Sequence, residues 1–400
     1  MKKLASRLDR IESSLSLAVT QRAAELAATG RDIIALALGE PDFDTPEHIK
    51  QAAIRAIKAG ETKYTPVHGT VALREAISEK FRRDNGLEYS VDQIAVGCGG
   101  KQVIYNAFMA SIDPGDEVII PAPYWLSYPD ITVLAEGVPI IVPCPAETGF
   151  RLDPESLERA ITPRTRWLVL NSPSNPTGAA YTRDQLRALA DVLLRHPHVW
   201  ILADDIYEHI IYDEFEFTTP AQVEPALYDR TLTLNGVSKA YCMTGWRLGF
   251  GGGPKQLIAG MNKMQGQSTT HTSSISQAAA IAALTGPHDF IAEHNKVFKA
   301  RRDLVIEAIS RAPGLTCAVP EGAFYVYPSC AGTLGKSTPD GKRLETDEDF
   351  VTYLLESEGV AAVQGAAYGL APHFRISYAT STELLKKACA RICRACEALS

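Results

Sequence analysis

Residues 166–209 read RWLVLNSPSNPTGAAYTRDQLRALADVLLRHPHVWILADDIYEH, and they contain the pattern that decides the fold. Two apolar runs, at 166–170 and 199–202, have the length and composition of buried β-strands. Between them, residues 182–195 space their apolar side chains as an amphipathic helix does. A strand, a helix and a second strand in this order are typical of a parallel sheet with crossover helices.

The same kind of run recurs along the chain, bounded by turn residues. The further runs are QIAVG (93–97), DEVIIPAP (116–123), VPIIVPC (138–144), TLTLNG (231–236) and RLGFGGG (247–253). We therefore predict an α/β fold whose main sheet has seven, mostly parallel strands. Ligands of such sheets bind at the carboxyl ends of the strands, so the residues after each run are the candidate site residues.

The composition narrows the class of protein. The chain has 400 residues, which favours two domains, and its 46% hydrophobic and 22% charged residues are typical of a globular protein. A net charge of −7 with interspersed acids argues against a nucleic-acid surface, which needs clustered Lys and Arg. Charges within the first residues argue against a signal peptide, and no apolar run is long enough to span a membrane.

Eight cysteines are scattered along the chain and do not suggest a disulfide framework. We expect no metal site and a reducing, cytoplasmic location. Cys393 and Cys396 lie three residues apart on a predicted amphipathic helix, where small buried hydrophobic residues are usual.

Chemically distinctive residues follow the predicted strands. They are Gly99 and Gly100 at the start of a helix, Trp125, Asn175, Asp204 with Tyr207, and Lys239 between Ser238 and the later Arg247. A helix that begins with Gly-Gly suits an anion such as a phosphate, and Arg247 suits the same oxygens. An acid that leaves a buried strand, as Asp204 does, needs a cationic or donor partner.

Pyridoxal phosphate is one ligand that would satisfy all of these residues. Its aldehyde forms an imine with a lysine, its ring nitrogen needs a carboxylate, and its phenolic oxygen needs donors. It also needs an aromatic ring for stacking and a cup for its phosphate. The residues above supply each of these groups, with Lys239 as the amine.

Nine motifs in the expected order make the chain resemble the class I aminotransferases, which belong to the aspartate aminotransferase superfamily and to fold type I of the pyridoxal phosphate enzymes. They are ALGEPDFDTP (37–46), TKYTPVHGTVALREAI (62–77), GGKQ, APYW, NSPSNPTG, DDIYEH, SKAYCMTGWRLG, PEGAFYVYP (320–328) and FRISYA (374–379). They cover nearly the whole chain. The resemblance implies a large cofactor domain at 47–290 and a smaller α+β domain made of 1–46 and 291–400.

The resemblance implies a role for each matching residue around the cofactor. Lys239 is similar to the lysine that forms the imine and moves the substrate proton. Asp204 is similar to the partner of the ring nitrogen, and Trp125 to the residue stacked on the ring. Asn175 and Tyr207 are similar to the donors to the phenolic oxygen.

The resemblance also implies substrate contacts and a homodimer. Arg375 is similar to the arginine that binds the substrate α-carboxylate, with Gly39 in contact nearby. Tyr64 is similar to the tyrosine that reaches the phosphate of the neighbouring subunit. In the bacterial aspartate aminotransferases that the chain resembles, a lysine at the position of Lys101 binds the distal carboxylate, helped by hydroxyls that match Ser14 and Ser16.

Two positions depart from the family pattern. Members often have a hydroxyl three residues before the lysine, where this chain has Gly236. Relatives that accept prephenate tend to have a basic residue in the N-terminal segment where this chain has Glu12, which weakens a prephenate interpretation. The family uses cis peptides at positions that match Ala122-Pro123 and Asn175-Pro176, and we predict both to be cis here.

These observations favour an aminotransferase that passes an amino group from an L-amino acid, aspartate or glutamate, to a 2-oxo acid in a ping-pong cycle. An aromatic or broad-specificity aminotransferase, or a pyridoxal phosphate-dependent β-lyase on the same fold, stays open, because a fold does not fix a reaction. A cofactor-sensing transcription factor is disfavoured, because only about forty residues precede GEPDF.

Overall fold

The computed structural model of this protein describes residues 4–11 and 15–400. Within them the strands are β1 (Ile34–Ala35), β2 (Ile94–Gly97), β3 (Glu117–Ala122), β4 (Val138–Pro143), β5 (Thr165–Asn171), β6 (Trp200–Asp204), β7 (Thr231–Gly236), β8 (Gly249–Gly252), β9 (Tyr325–Val326), β10 (Val360–Ala361), β11 (Val363–Gln364) and β12 (Phe374–Ser377).

The α-helices alternate with these strands over much of the chain. They are α1 (Leu15–Ala28), α2 (Glu47–Lys58), α3 (Val71–Asn85), α4 (Gly100–Ser111), α5 (Ser127–Leu134), α6 (Pro154–Ala160), α7 (Arg183–Arg195), α8 (Pro220–Val223), α9 (Lys255–Gly266), α10 (Ser274–Thr285), α11 (Asp289–Arg311), α12 (Asp347–Glu358) and α13 (Thr382–Glu397).

Seven strands form the main sheet in the order β2-β8-β7-β6-β5-β3-β4. All neighbours pair in parallel except β8, which is antiparallel to both β2 and β7. Each of the seven apolar runs in the sequence forms one of these strands, so the predicted seven-stranded, mostly parallel sheet is confirmed. Because β8 runs the opposite way, its amino end lies at the same edge as the carboxyl ends of the others.

Helices on both faces explain why the central strands are apolar throughout. In β5, Trp167 and Val169 pack into one buried cluster, and Leu168 and Leu170 pack into another. Successive side chains of a strand point to opposite faces, so each face of this sheet has its own core. A strand buried on both faces therefore needs an uninterrupted apolar run.

The predicted helix between these two strands begins where its sequence allows. The side chain of Thr182 accepts a hydrogen bond from the amide of Gln185, and the Gln185 side chain accepts one from the amide of Thr182. This capping box satisfies two amides that have no partner within the helix. It sets the start of α7 at Arg183.

Two small sheets bring the ends of the chain together. Strand β1 pairs in parallel with β10, and β12 lies antiparallel between β11 and β9. The register sets Ser377 opposite Tyr325, so Arg375 and Tyr325 lie on neighbouring strands. The helices α11, α12 and α13 pack against strands of these two small sheets. No helix within the described ranges is long and apolar enough to cross a membrane.

Candidate active site

A cavity of about 260 Å³ lies at the carboxyl edge of the main sheet, where sequence analysis predicts the site. Eleven of the residues singled out in the sequence line it. They are Gly39, Gly100, Lys101, Trp125, Asn175, Asp204, Tyr207, Ser238, Lys239, Arg247 and Arg375. The fold therefore gathers into one space residues that are up to 336 positions apart in the chain.

Lys239 follows β7 and directs its amine across the cavity. Its Nζ donates to the carbonyl of Gly39 over 2.7 Å. Burial, together with the positive charge of Arg375, lowers the pKa of this amine to about 8. A larger fraction of the amine is thus neutral near pH 7 than for an ordinary lysine, and a neutral amine is the nucleophilic form.

Asp204 is the last residue of β6 and is 5% exposed. The hydroxyl of Tyr128 donates to its Oδ2 over 2.5 Å, and the backbone amide of Ile206 donates to Oδ1 over 3.4 Å. Burial raises the pKa of this carboxyl to about 6, although these donors oppose the shift. A cationic ligand group beside Asp204 would stabilise the carboxylate. Sequence analysis did not single out Tyr128, which lies three residues after Trp125.

Arg375 and Asn175 are in direct contact. Nη1 of Arg375 donates to Oδ1 of Asn175 over 2.8 Å, and its Nη2 donates to the carbonyl of Ala37. The backbone N–H of Asn175 in turn donates to Oδ1 of Asn171 over 2.8 Å. Arg375 is 3% exposed, and its Nε has no hydrogen-bond partner among the described residues. These contacts hold the guanidinium beside the cavity in one orientation.

A tyrosine that sequence analysis did not single out completes this wall. Tyr325 is fully buried, and its ring lies 4.7 Å from the guanidinium carbon of Arg375. Its hydroxyl is 2.8 Å from the hydroxyl of Tyr207. A Cβ added to Gly39 would lie 2.1 Å from the Tyr325 oxygen, so only glycine fits at position 39. The quoted motif PEGAFYVYP contains Tyr325, but its apolar surroundings give no sign of a polar contact.

The anion end of the cavity forms where α4 begins. Gly99 has φ +86°, a conformation that favours glycine, and a Cβ there would lie 2.5 Å from Nη2 of Arg247. Arg247 itself has φ +54° and donates from Nη1 to the carbonyl of Thr244 over 2.9 Å. The first amides of α4 have no partner within the helix, so they and Arg247 can bind an anion together. Gly99 itself does not line the cavity, although Gly100 and Arg247 do.

The missing hydroxyl at Gly236 has a steric explanation. A Cβ at this position would lie 3.0 Å from Cδ1 of Ile206 and 3.2 Å from Cα of Gly249. Gly249 is closer still to its neighbours, because a Cβ there would lie 2.2 Å from the amide nitrogen of Gly100. The chain therefore crosses itself closely at this point, and Ser238 and Thr244 are the hydroxyl-bearing residues of the following loop that line the cavity.

Lys101 lies at the mouth of the cavity, in the first turn of α4. Its Nζ is 4.9 Å from the ring centroid of Trp125, within the range of a cation–π interaction. Burial lowers the pKa of its amine, and the nearby charge of Arg247 lowers it further. Within the described residues it forms no salt bridge. It is therefore available for an acidic ligand group.

Of the remaining predicted residues, Tyr64 does not line the cavity. Tyr64 is 92% exposed and lies beside the ring of His271, with 5.7 Å between the ring centroids. Ser14 lies outside the described residues, and the side chain of Ser16 is also outside them. The two peptide bonds predicted to be cis, Ala122-Pro123 and Asn175-Pro176, are both cis.

A buried ion-pair network lies behind the loop that follows β6. Lys80 is 1% exposed, pairs with Glu208 and donates to Oδ1 of Asn85 over 2.7 Å. Asn85 donates to Glu208 over 2.7 Å, and His209 lies 3.2 Å from the same carboxylate. Glu208 and His209, with Asp84, also have the spacing of metal ligands. Lys80 already neutralises Glu208, so the contacts describe an ion-pair network that anchors this loop.

The donor set of the cavity fits pyridoxal phosphate. It combines an amine whose pKa is lowered to about 8 with a carboxyl whose pKa is raised to about 6, at separate points of one cavity. A helix start with an arginine forms its anion end, and the aromatic residue Trp125 lines its wall. A ligand with an aldehyde, a basic ring nitrogen and a phosphate would satisfy all of these groups.

The chain matches known proteins along almost its full length. Residues 31–392 match the family described as aminotransferase class I and II. A probable aspartate/prephenate aminotransferase of Rhizobium leguminosarum bv. phaseoli is 60% identical over 99% of both chains. The structure of an aspartate aminotransferase from Rhizobium meliloti is 58% identical in sequence and has a TM-score of 0.98. The match covers 100% of both chains. The structure of the Thermus thermophilus aspartate aminotransferase with maleate is 43% identical in sequence and has a TM-score of 0.92. The match covers 99% of this chain and 100% of the Thermus chain.

Proposed function

The chain belongs to the class I and II aminotransferase family, and we propose that it transfers the amino group of an acidic amino acid, aspartate first, to a 2-oxo acid. The observation that carries this proposal is the direction of Lys239, whose amine lies 2.7 Å from the Gly39 carbonyl in the cavity that Asp204 and Arg375 also line. An amine, a ring-nitrogen partner and a carboxylate binder around one cavity are what transamination requires.

The enzyme depends on pyridoxal phosphate, as its family does. When bound, this cofactor supplies an aldehyde that condenses with amines and a ring that accepts the electron pair left when the substrate loses its α-proton. We assign the amine that holds the cofactor and moves this proton to Lys239. Its lowered pKa, about 8, suits both tasks, because the amine must be neutral to accept the proton.

Asp204 would keep the ring nitrogen of the cofactor protonated. Its pKa is raised to about 6 by burial, so the carboxylate gains stability when a cation lies beside it. The hydroxyl of Tyr128 and the amide of Ile206 hold the carboxylate in place. Trp125 would cover the ring, and Asn175 and Tyr207 would bind its phenolic oxygen.

The two anionic ends of the reacting molecules would bind at opposite sides of the cavity. The phosphate would be held by the start of α4, Ser238 and Arg247. Arg375 would bind the substrate α-carboxylate through a guanidinium that Asn175 and the Ala37 carbonyl already orient. Because the Arg375 side chain is oriented before binding, it loses less conformational entropy when the substrate binds.

The preference for acidic substrates rests on Lys101. Its amine lies at the cavity mouth over Trp125 and forms no salt bridge among the described residues, so a distal carboxylate could pair with it. A carboxylate in a closed site is unfavourable without such a partner. The Thermus thermophilus relative has been solved with maleate, a four-carbon dicarboxylate, and this supports the same choice. Ser14 and Ser16 would assist Lys101.

Prephenate is a second candidate substrate. Two relatives, 60% and 59% identical, carry prephenate beside aspartate in their names. Prephenate also bears a second carboxylate, which Lys101 could bind. Glu12, which argues against prephenate, lies outside the described residues.

The assembly we propose is a homodimer of two-domain subunits in the cytoplasm. Tyr64, at 92% exposure, would reach the phosphate of the neighbouring subunit. Residues 47–290 would form the large domain, and 1–46 with 291–400 the small one. Movement of the small domain would then bring Arg375 over the cavity and exclude water.

One experiment separates transamination from the β-lyase alternative. The cofactor-loaded protein is mixed with aspartate alone, and absorbance and products are followed. Transamination gives one oxaloacetate per site and full conversion of the cofactor to its amine form. A separate incubation with cysteine alone, whose β-carbon carries a leaving group, tests the β-lyase alternative. Continued release of pyruvate, ammonia and hydrogen sulfide from cysteine, without conversion of aspartate to oxaloacetate, would overturn the proposal. The Lys239→Ala variant should fail to turn over in either case, so it serves as the blank.

A further inference from the structure

The hydroxyls of Tyr207 and Tyr325 form a pair whose donor and acceptor can be assigned from their surroundings. They are 2.8 Å apart, and among the described residues neither has another hydrogen-bond partner. Tyr207 is 3% exposed and Tyr325 is not exposed. Burial raises the pKa of Tyr207 well above its usual range and that of Tyr325 to about 12, so both keep their protons at neutral pH. One of the two hydroxyl protons forms the hydrogen bond between the oxygens, and the other is free to point elsewhere.

The charges nearby favour Tyr325 as the donor. The guanidinium of Arg375 lies 4.7 Å from the Tyr325 ring and stabilises a partial negative charge there. The charge of Arg375 lowers the pKa of both hydroxyls, whereas the acid Asp204 raises the pKa of Tyr207 and is not among the groups that shift that of Tyr325. Lys239 lies 5.9 Å from the Tyr207 ring and is the other charged group facing the pair. The proton between the oxygens therefore belongs to the more acidic Tyr325, and Tyr207 accepts it.

We propose that Tyr325 is a positioning residue: its hydroxyl donates to the Tyr207 oxygen and so turns the Tyr207 proton toward the cavity, where the phenolic oxygen of the cofactor would accept it. This inference rests on the function proposed above. Tyr325 is suited to this role because its oxygen is fixed between Gly39 and Tyr207. The contact also joins β9 to the loop after β6, so it connects two parts of the chain that would move relative to one another.

The test removes the hydroxyl and keeps the ring. In Tyr325→Phe the ring still packs on Arg375, but Tyr207 loses its fixed donor and can turn its own proton away from the cavity. The readout is the pH midpoint at which the visible absorption of the bound cofactor changes, because donors to the phenolic oxygen lower it. We expect this midpoint to rise by about 0.5 to 1 pH unit, as for partial loss of one hydrogen bond to a charged group.

Tyr327→Phe is the matched control. Tyr327 is also buried on the same segment, and its hydroxyl donates to the carbonyls of Gly365 and Leu370 at 3.1 and 2.8 Å. It does not line the cavity. This variant should lose stability without moving the spectral midpoint. An equal shift in both variants would show a general loss of packing and overturn the proposal.

A double variant tests whether Tyr325 acts through Tyr207. Tyr207→Phe alone should raise the midpoint by more than Tyr325→Phe does, and adding Tyr325→Phe to it should change nothing further. An undiminished effect of Tyr325→Phe in that background would contradict the proposed route. An unshifted midpoint in the single Tyr325→Phe variant would overturn the inference while leaving the aminotransferase proposal intact. A wild-type protein without any cofactor spectrum would overturn both.

A second substitution keeps both the ring and the hydroxyl. Replacing Tyr325 by 3-fluorotyrosine makes the phenol more acidic and a stronger donor, and a stronger donor polarises the Tyr207 hydroxyl further. The midpoint should then move downward, opposite to its direction in Tyr325→Phe. A midpoint equal to that of the wild type, with the label confirmed by mass spectrometry, would count against the assignment of Tyr325 as donor.

Discussion

Lys239 and Gly39, two hundred positions apart in the chain, are joined by a hydrogen bond of 2.7 Å from the lysine amine to the glycine carbonyl. The bond brings the N-terminal segment against the residue on which the chemistry depends. It also leaves the amine in a buried site beside Arg375, where its pKa is lowered to about 8.

The rate at which cofactor-free protein takes up pyridoxal phosphate should depend on pH through Lys239. Only the neutral amine attacks the aldehyde, and with a pKa of about 8 its neutral fraction grows about tenfold between pH 6 and pH 7 and levels off above pH 8. Stopped-flow absorbance at constant ionic strength measures this rate. A rate that kept rising tenfold per unit up to pH 10 would mean that the amine has its ordinary pKa.

Asp204→Asn should stabilise the cofactor-free protein and inactivate the loaded enzyme. The folded-state pKa of this carboxyl, about 6, lies above its ordinary value of 3.8, so the folded state loses stability as pH rises from about 4 through 6. An amide has no charge to bury. The variant should therefore be more stable by about 1 to 3 kcal/mol at pH 7 and by little at pH 4.

Urea unfolding of the cofactor-free proteins at the two pH values measures this difference. Asp113→Asn, which changes an exposed carboxylate, is the control and should show neither effect. Turnover of the loaded Asp204→Asn variant should fall by about 10²-fold or more, because an amide does not hold the ring nitrogen in its protonated form. Equal stability of Asp204→Asn and the wild type at pH 7 would contradict the raised pKa.

Lys101→Ala should separate acidic from neutral substrates. Losing one partner of a desolvated charge pair costs about 2 to 5 kcal/mol, so kcat/KM for aspartate should fall by roughly 30-fold or more. Phenylalanine or leucine, if accepted, should be nearly unaffected and serves as the internal control. Equal losses for acidic and neutral donors would remove Lys101 from the account of specificity.

Gly99→Ala should weaken cofactor binding through Arg247. The added methyl group would lie 2.5 Å from the guanidinium, which must then move away from the anion end of the cavity. Gly115→Ala is the matched control, since Gly115 has a similar φ of +90° and no atom within 4 Å of the added carbon. Both should lose about 1 kcal/mol of stability through backbone strain.

The two glycine variants should differ in affinity for the cofactor. We expect the Kd for pyridoxal phosphate to rise about tenfold or more in Gly99→Ala, which corresponds to about 1.4 kcal/mol, and to stay at the wild-type value in Gly115→Ala. Equilibrium dialysis with the cofactor-free proteins measures both constants. The same Kd in both variants would show that Arg247 does not depend on the absence of a side chain at position 99.

The residue pattern alone identifies site residues that follow strands, whereas Arg375, which lies within β12, was identified only through the family resemblance. Asp204 and Lys239 come directly after apolar runs, and the rule that ligands bind at the carboxyl edge brings them together without any knowledge of distance. Tyr325 and Tyr128 could not be found in this way. Tyr325 lies on a two-residue strand of a small sheet, and Tyr128 lies on a helix, so neither follows a strand of the main sheet.

Backbone groups are a second kind of contact that sequence patterns do not reveal. The carbonyl of Ala37 accepts from Arg375, and every residue has such a carbonyl. Tyr64 shows the opposite case: its motif is recognisable, but in a single chain it is exposed and away from the cavity. Its proposed role needs a second chain, which a sequence and a single subunit do not contain.

The order of the cavity residues along the chain bears on how the enzyme is made. A ribosome completes the whole seven-stranded sheet, from β2 to β8, before it begins the segment that carries Tyr325 and Arg375. Arg247 is the last residue along the chain that is assigned to the cofactor. A nascent chain therefore contains all of the cofactor residues before Arg375 is synthesised. The arginine assigned to the substrate carboxylate arrives near the end of translation. An incomplete chain could thus capture the reactive aldehyde while still unable to hold an amino acid for turnover.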